Sequence, residues 1–338
     1  MSALDKVNDQ GGTVMSLRGR VLSKVTLALT ILALGLSARA TDDKSKNKKA
    51  TAEGASVLWR DPGDVASLNL LLGPGGDEMK PDVTKVTFIT EEKDGWSKKY
   101  RVRDGSGREW VAKIGVEAQP ETAATRLLWA VGYTTDITYL VPSVTIEGMG
   151  TFENVRFEAR DKKIKRLGEW KWDHNPFAGT MELQGLKTMM VLIGNWDIKD
   201  SNNKILRVHN DQTGDVELRY IVSDLGATLG KTGGIITRSR NEPTDFAKTK
   251  FVDSVKNNRV DFHYSGKRKD VLNGITIDQA RWIGQLLSRL SDEQVRDAFR
   301  AANYRPEEVE MLAGTVRARI NQLVALPQSP SADAGAVR

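Results

Sequence analysis

Four polar side chains in the second half of the sequence have the types and spacing that phosphoryl transfer requires. Asp197, Lys199 and Asn202 lie in the run Asp-Ile-Lys-Asp-Ser-Asn, and Asp224 opens the later run Asp-Leu-Gly. Phosphoryl transfer needs a carboxylate near the attacking hydroxyl, a cation near the moving phosphate and oxygen ligands for Mg²⁺. We predict that Asp197 orients or deprotonates the acceptor and that Lys199 offsets charge on the γ-phosphate. Asn202 and Asp224 would supply oxygen ligands to Mg²⁺ or Mn²⁺.

A helix and a β-hairpin are predicted around these four residues. In residues 181–193, hydrophobic side chains recur at the spacing of one helical face, and this run ends shortly before Asp197. Between Asn202 and Asp224, two β-type runs at Ile205–Val208 and Val216–Val222 flank a turn that contains a glycine. The sequence therefore predicts a helix that leads into the group and a hairpin that separates its last two members.

The part of the chain before residue 160 predicts mainly β structure. Alternating hydrophobic residues and a turn signal at residues 104–107 indicate a series of short strands. These strands are predicted at Lys85–Thr90, Lys98–Arg103, Glu109–Ile114, Tyr139–Ile146 and Val155–Ala159. One helical run, opened by Pro120 in its favoured first-turn position and extending to Val131, interrupts the series.

The last third of the sequence predicts helices. Thr276-x-x-Gln279 and Ser291-x-x-Gln294 are capping boxes, and Pro306 begins a third helix that runs to about residue 324. Together with the strands, this pattern predicts an α+β fold in two lobes, a β-rich N-lobe at 55–160 and a mostly helical C-lobe at 161–325. Residues 326–338 are predicted to form a flexible tail.

Five positions of the sequence resemble the protein-kinase-like superfamily. Asp-Ile-Lys-Asp-Ser-Asn is similar to the kinase catalytic loop, and Asp-Leu-Gly resembles the metal-binding Asp-Phe-Gly motif. The run Trp110–Lys113 resembles the strand that carries the phosphate-binding lysine, and Glu121 on the following helix would be the ion-pair partner of Lys113. The resemblance covers roughly residues 85–325. It implies a two-lobed kinase-like fold, ATP as the nucleotide, and Lys113 on the α- and β-phosphates.

Departures from the common kinase pattern place the chain closer to the atypical branch. Asn195-Trp196 stands where His-Arg is usual before the catalytic Asp. No glycine-rich loop precedes Lys113, so Gly95 is the candidate cover for the phosphates, and Glu117 is a second candidate partner for Lys113. No activation-loop closing motif follows residue 226. These features are similar to secretory-pathway, spore-coat, toxin-type and phosphoinositide kinases, and the whole chain resembles a family of exported bacterial proteins.

Three functions are compatible with these residues. The first is an exported atypical kinase with its adenine site near Phe157–Lys163, and its acceptor could be a protein, a lipid, a sugar or a small molecule. The second is a non-catalytic kinase-like module that binds a ligand or a protein. The third is another transfer on the same scaffold, such as nucleotidylation of a side chain. A calcium loop beginning at Asp197 is excluded, because Lys199 and Ser201 would occupy ligand positions.

The first 40 residues predict a cleavable export signal. Basic residues within 18–24 precede an apolar run at Val25–Leu36, and Ala38-Arg39-Ala40 then provides the small residues that a signal peptidase reads. The apolar run is shorter than the roughly 20 residues that a membrane span needs, and no later stretch is apolar enough to cross a bilayer. We predict cleavage after Ala40, a disordered linker at 41–54 and a periplasmic or extracellular mature protein.

Charge and cysteine content exclude several further classes of protein. The formal net charge is +6, of which residues 1–40 carry +3. The surplus that remains is too small for nucleic-acid binding, which needs a dense basic face. The sequence contains no cysteine, and this excludes disulfides, thiol nucleophiles and cysteine-ligated zinc.

Overall fold

The computed structural model describes residues 53–93, 97–209, 213–233 and 238–328. The predicted signal peptide at 1–40, nearly all of the linker at 41–54 and most of the tail at 326–338 lie outside the described residues. The strands are β1 (Ala55–Val57), β2 (Val86–Glu92), β3 (Lys98–Arg103), β4 (Glu109–Ile114), β5 (Thr138–Glu147), β6 (Gly150–Ala159), β7 (Lys165–Gly168), β8 (Asn203–His209), β9 (Val216–Val222), β10 (Val252–Lys256) and β11 (Arg259–Phe262). The helices are α1 (Ala118–Ala130), α2 (Met181–Leu192), α3 (Pro243–Lys248), α4 (Ile277–Ser288), α5 (Asp292–Arg300) and α6 (Pro306–Val324).

Strands β2 to β6 form a closed barrel with the order β2-β3-β4-β6-β5. Neighbouring strands pair antiparallel, except that β2 and β5 close the barrel through a short parallel contact around Val86 and Ile146. Successive residues of a strand face opposite sides, so alternate side chains fill the barrel. Val102, Trp110, Ile146 and Phe157 are fully buried in this interior.

A second and larger core joins the helices to the sheet β1-β9-β8-β7. Strand β1 pairs in parallel with β9, although about 160 residues separate them in the chain. Leu58, Val65 and Leu70 follow β1 and are buried in this same core. Residues 55–70 therefore pack against β9 and within the larger core, which also includes α1, and the predicted bounds of the two lobes remain a prediction.

The C-terminal helices begin where their capping signals predict. Thr276 and Ser291 each accept a hydrogen bond from the backbone three residues on, and the glutamines at those positions accept one in return. Each pair satisfies two of the backbone N–H groups that a helix start leaves unpaired. Strands β10 and β11 form a two-stranded antiparallel sheet inside the region predicted as helical, which the sequence interpretation omitted.

A β-rich barrel lobe and a mostly helical lobe, each with its own hydrophobic core, confirm the predicted two-lobed α+β class. No described helix is long and apolar enough to cross a bilayer.

Candidate functional site

Lys113 lies near the end of β4 and contacts three carboxylates. Its Nζ is 2.7 Å from Glu121 Oε2, 2.9 Å from Glu117 Oε2 and 3.5 Å from Asp224 Oδ1. The lysine side chain is 3% exposed and that of Glu121 is 1% exposed. The structure therefore brings both candidate partners to Lys113, and it adds the aspartate of the Asp-Leu-Gly run.

The short connection from β4 to α1 produces this arrangement. Only three residues separate β4 from the start of α1, and Gly115 takes a φ of +109° that other residues rarely adopt. Glu117 is the N-cap residue of α1 and Glu121 lies one turn further on. Residues four apart lie on the same helical face, so both carboxylates face the strand that carries Lys113.

The balance of burial and charge keeps Lys113 protonated. Burial disfavours the charged form of an amine and would lower its pKa. The carboxylates of Glu121, Asp224 and Glu117 outweigh that effect and raise the pKa of Lys113 above its usual value. Lys113 is thus a permanent cation at the junction of the barrel and α1.

Beyond Glu121, a series of buried ion pairs runs along the face of β6 that is opposite to the barrel interior. Arg156 Nη2 lies 3.1 Å from Glu121 Oε1 and 2.5 Å from Glu158 Oε2. Arg166 in turn donates to Glu158 Oε1 at 2.8 Å and contacts Asp136. Burial alone would raise the pKa of Glu158, but the neighbouring guanidinium groups lower it well below its usual range.

The ion-pair chain ends beside Asp224. Ser223 Oγ accepts a hydrogen bond from Arg166 at 3.1 Å and donates one to Asp136 Oδ2 at 2.9 Å. The sequence analysis did not predict this series of ion pairs. Its detectable signal was the alternation of Arg156 and Glu158 on one face of a strand, since residues two apart in a strand face the same side.

The loop that carries Asp197 is positioned by helix α2, which precedes it, and by a buried asparagine. Thr180 caps the start of α2 by accepting from Leu183 N, and Gly194 ends the helix with a φ of +67°. The buried side chain of Asn195 then accepts a hydrogen bond from Asp197 N at 2.9 Å. The backbone at Asp197 is therefore positioned by its own local sequence.

A buried arginine from the last helix holds the end of α2 in place. Arg319 donates to Leu192 O at 2.7 Å, and it also donates to Phe246 O at 3.0 Å and Thr249 O at 3.1 Å. Cations stabilise the C-terminal end of a helix, where backbone carbonyls lack partners. Burial lowers the pKa of Arg319 to about 9.

Asp197 is held between two ammonium groups. Lys199 Nζ lies 2.9 Å from Asp197 Oδ2, and Lys267 Nζ lies 2.7 Å from Asp197 Oδ1. Burial raises the pKa of Asp197, but the two lysines lower it by more than burial raises it. The pKa of Asp197 is therefore below its usual value. The sequence interpretation placed Lys199 here and missed Lys267, which comes from a loop 70 residues further along.

Asn202 and Asp224 meet because the hairpin β8–β9 closes the chain between them. Asn203 pairs with Val222 at the open end of the hairpin, and Asn202 O accepts Ser223 N at 2.8 Å and Asp224 N at 3.3 Å. The side-chain Nδ2 of Asn202 donates to Asp197 O at 2.7 Å. The side-chain Oδ1 of Asn202 is therefore the acceptor that remains for a cation.

This donor set fits a magnesium or manganese ion that is held jointly with phosphates. Mg²⁺ usually takes one or two protein carboxylates together with substrate phosphates and water. Asp224 is 44% exposed; burial raises its pKa, but Lys113 and the Gly226 N–H lower it below its usual value, so the carboxylate is ionised. The described residues contain no cluster of three or more His, Cys, Asp or Glu side chains that could hold a metal without a ligand.

Trp196, beside Asp197, is surrounded by cations. The Arg240 and Arg238 guanidiniums lie 4.8 Å and 5.2 Å from the centre of its ring, and Lys267 Nζ lies at 5.9 Å. Its indole N–H donates to Ser239 O at 3.0 Å. Cations favour the face of an indole ring. Trp196 is thus an aromatic platform for three basic side chains, and two of them come from the segment that follows Asp224.

The predicted adenine site is only partly matched by the structure. A cavity of about 1150 Å³ borders the connection between the lobes and is lined by Ala159, Arg160, Ile164 and Leu206, among others. Its lining does not include Lys113, Asn202 or Asp224. Phe157, the first residue of the predicted adenine contact, instead packs inside the barrel. The predicted phosphate cover, Gly95, lies outside the described residues.

Comparison with known proteins gives only distant similarities. No family model and no curated protein matches the sequence. The solved structure of the Helicobacter pylori proinflammatory kinase CtkA is similar at 10% identity with a TM-score of 0.43, over 70% of this chain and 95% of that chain. The Rio2 kinase–ADP/Mg²⁺–phosphoaspartate complex from Chaetomium thermophilum gives 10% identity and a TM-score of 0.28, over 70% of this chain and 72% of that chain. The apo GRMZM2G135359 pseudokinase gives 12% identity and a TM-score of 0.20, over 86% of this chain and 100% of that chain.

The structure is a two-lobed α+β fold in which the candidate site residues come from successive elements. A barrel strand carries Lys113, the next helix carries Glu121, a loop carries Asp197 and Asn202, and a hairpin leads to Asp224. Lys113 contacts both Glu121 and Asp224. The backbone of Asn202 is hydrogen-bonded to that of Asp224 at the open end of the hairpin.

Proposed function

We propose that this chain binds ATP with Mg²⁺ or Mn²⁺ and transfers phosphate to an acceptor hydroxyl. One observation carries the proposal: Lys113, fixed 2.7 Å from Glu121, lies 3.5 Å from Asp224, which the hairpin places beside Asn202. A fixed cation beside an ionised carboxylate, with an amide side chain on the adjoining loop, matches the needs of nucleotide phosphates and a divalent ion.

Each site residue then has a separate role. Lys113 binds the α- and β-phosphates through charge-assisted hydrogen bonds. Asn202 and Asp224 would hold the divalent ion, which neutralises phosphate charge when it is bound. Asp197 accepts the proton of the acceptor hydroxyl while the hydroxyl oxygen bonds to the γ-phosphorus. The bond to the β–γ bridging oxygen breaks, its electron pair leaves on ADP, and Lys199 offsets the charge of the transferred group.

A second function, a non-catalytic module of the cell envelope that binds a ligand or a protein, is favoured by the state of Asp197. Both of its oxygens are paired with ammonium groups, and its pKa lies below its usual value. A carboxylate with a lowered pKa is a weaker general base. The two functions differ in whether bound nucleotide is turned over.

A thermal-shift experiment tests the proposed function. Protein lacking residues 1–40 is melted with ATP alone, with Mg²⁺ or Mn²⁺ alone, and with both. A ligand at a hundredfold excess over its Kd stabilises the folded state by about 2.7 kcal/mol, which appears as a rise of several degrees in Tm. A rise only with ATP and metal together, followed by ADP release, supports a kinase. A rise without ADP release supports the binding module, and no rise contradicts nucleotide binding.

Export is a further part of the proposal. It is supported by the basic, apolar and small-residue pattern of residues 18–40, which lie outside the described residues. Intact-mass measurement on protein produced in a bacterial host tests it. We expect a mature chain that begins at Thr41, outside the cytoplasm. Recovery of a cytoplasmic chain that still contains residues 18–40 would contradict export.

A further inference from the structure

The Glu117 carboxylate is bound by three donors from three separate parts of the chain. Lys113 Nζ lies 2.9 Å from Glu117 Oε2, and Ser97 Oγ donates to the same oxygen at 2.6 Å. Arg240 forms an ion pair with the other oxygen, Oε1. Glu117 is therefore 6% exposed, although it is the N-cap residue of its helix.

Lys113 does not need Glu117 as a structural partner. Glu121 already satisfies the ammonium at 2.7 Å, and Glu121 is itself tied to Arg156 in the barrel. Asp224 adds another negative charge at 3.5 Å. Glu117 is thus a third carboxylate on one ammonium, and like charges so close together repel one another.

The donors around Glu117 are those that proteins use to bind phosphate. An ammonium, a hydroxyl and a guanidinium can all donate to phosphate oxygens, and the guanidinium fork suits them particularly well. Ser97 lies immediately before β3, and the sequence that connects β2 to β3 has no glycine-rich motif. The structure thus gathers phosphate-type donors at a point where the sequence shows no phosphate-binding loop.

The Glu117 side chain also lies against the Asp-Leu-Gly turn. A Cβ placed on Gly226 would lie 2.6 Å from Glu117 Cβ and 2.9 Å from Glu117 Cδ. Any larger residue at this position would collide with the glutamate. The carboxylate therefore occupies space directly above the turn that carries Asp224, the proposed metal ligand.

We propose that the Glu117 carboxylate occupies a phosphate subsite, and that a nucleotide phosphate displaces it and binds Lys113, Ser97 and Arg240. The subsite rests on the proposed nucleotide binding. Glu117 acts as an internal anion that competes with the phosphate, whereas Glu121 holds Lys113 in place in both states. Two glutamates one turn apart on the same helix thus affect nucleotide affinity in opposite directions.

The first experiment measures ATP affinity in the presence of Mg²⁺ by calorimetric titration of mature wild type, Glu117→Gln and Glu121→Gln. Loss of the competing charge should tighten binding by about tenfold in Glu117→Gln, which corresponds to about 1.4 kcal/mol. Glu121→Gln is the matched variant and should weaken binding. The melting temperature of each variant without ligand shows whether it folds, and Glu117→Ala replaces Glu117→Gln if the latter does not.

The second experiment tests whether Ser97 and Arg240 bind phosphate or only hold the Glu117 side chain in place. In the Glu117→Gln background, Ser97→Ala and Arg240→Ala should each weaken ATP binding about tenfold, the size expected for loss of a charge-assisted hydrogen bond. Arg238→Ala is the control, because Arg238 contacts the same Trp196 ring but forms no ion pair with Glu117 among the described residues. That variant should bind ATP as Glu117→Gln does.

The outcomes distinguish the inference from the function on which it rests. If wild type binds ATP and Glu117→Gln binds it equally or more weakly, the inference is overturned while nucleotide binding stands. If the Ser97 and Arg240 double variants bind as tightly as Glu117→Gln, both residues only hold Glu117, and the subsite is overturned. If neither wild type nor any Glu117 variant binds ATP with Mg²⁺ or Mn²⁺, both the inference and the proposed function fail.

Discussion

The charged side chains that link Lys113 to α1 and β6 are almost completely buried, whereas the lysines around Asp197 remain partly open to solvent. Lys113, Glu121 and Arg156 are at most 3% exposed in their side chains. Lys199 and Lys267, the partners of Asp197, are 42% and 47% exposed. Both groups consist of close ion pairs, so they differ in environment and not in the type of contact.

Burial changes what an ion pair contributes to the protein. Removing one partner of a buried pair leaves a charge without solvent, which is strongly destabilising, whereas exposed pairs contribute little to stability. The Lys113 group is therefore part of the framework that joins β4, α1 and β6. The Asp197 group can exchange its partners at small energetic cost, as the proposed acceptor site would require.

The largest effect should come from Glu121→Ala. This change leaves Lys113 and Arg156 with one fewer buried carboxylate, and we expect the free energy of unfolding to fall by about 3–5 kcal/mol. Urea denaturation measures the change. Glu147→Ala is the control, because its pair with Lys85 at 3.8 Å is more than half exposed and should be worth less than about 1 kcal/mol. Equal losses for the two variants would remove the distinction between the groups.

Asp197→Asn should act on catalysis and leave the framework intact. Loss of a general base typically lowers a rate by about 10²–10⁴-fold, and we expect this loss in ADP release with water or an added alcohol as acceptor. The rise in Tm with ATP and metal should stay close to that of wild type. Asp200→Asn, a nearby carboxylate that pairs with Arg268, is the control. A rate unchanged in Asp197→Asn would exclude this residue as the base.

Asp224→Ala should remove the metal-dependent part of nucleotide binding. The stabilisation of about 2.7 kcal/mol that ATP with Mg²⁺ should give wild type at a hundredfold ligand excess should be lost. ATP should then shift the Tm of the variant by the same small amount with and without Mg²⁺. Thermal melting with ATP, with and without a chelator, measures it. Asp215→Ala, an exposed residue at the hairpin turn, should keep the full metal dependence. A preserved metal effect in Asp224→Ala would place the ion elsewhere.

The smallest effect should come from Lys267→Ala, as a change in pH dependence. Burial raises the pKa of Asp197, and Lys267 and Lys199 more than offset this, so the folded-state pKa is depressed. Without Lys267 the pKa rises, and Asp197 becomes protonated at higher pH. The acidic limb of the pH–rate profile should therefore move to higher pH. Lys269→Ala removes a lysine two residues away and should leave the limb in place, since Lys269 forms no ion pair with Asp197 in the described structure.

Local sequence determined a large part of this site. The spacing of Glu117 and Glu121 places both on one helical face, whichever of them pairs with Lys113. The capping boxes at Thr276 and Ser291 set where two helices begin, and alternation of hydrophobic residues gave the barrel strands. These features are predictable because backbone hydrogen bonding fixes the helix and strand periods over a few residues.

Tertiary structure alone decided which distant side chains meet. Lys267 reaches Asp197 because the loop after β11 packs on the loop that carries Asp197, where Lys267 N donates to Trp196 O at 2.8 Å. Arg240 reaches Glu117 across 123 residues, and β1 joins β9 instead of the barrel. No local periodicity encodes such pairs, because they depend on tertiary packing. A charge that packing buries is costly unless an opposite charge lies beside it. The sequence by itself therefore determined the candidate site residues and their order, whereas packing determined the charges that surround them.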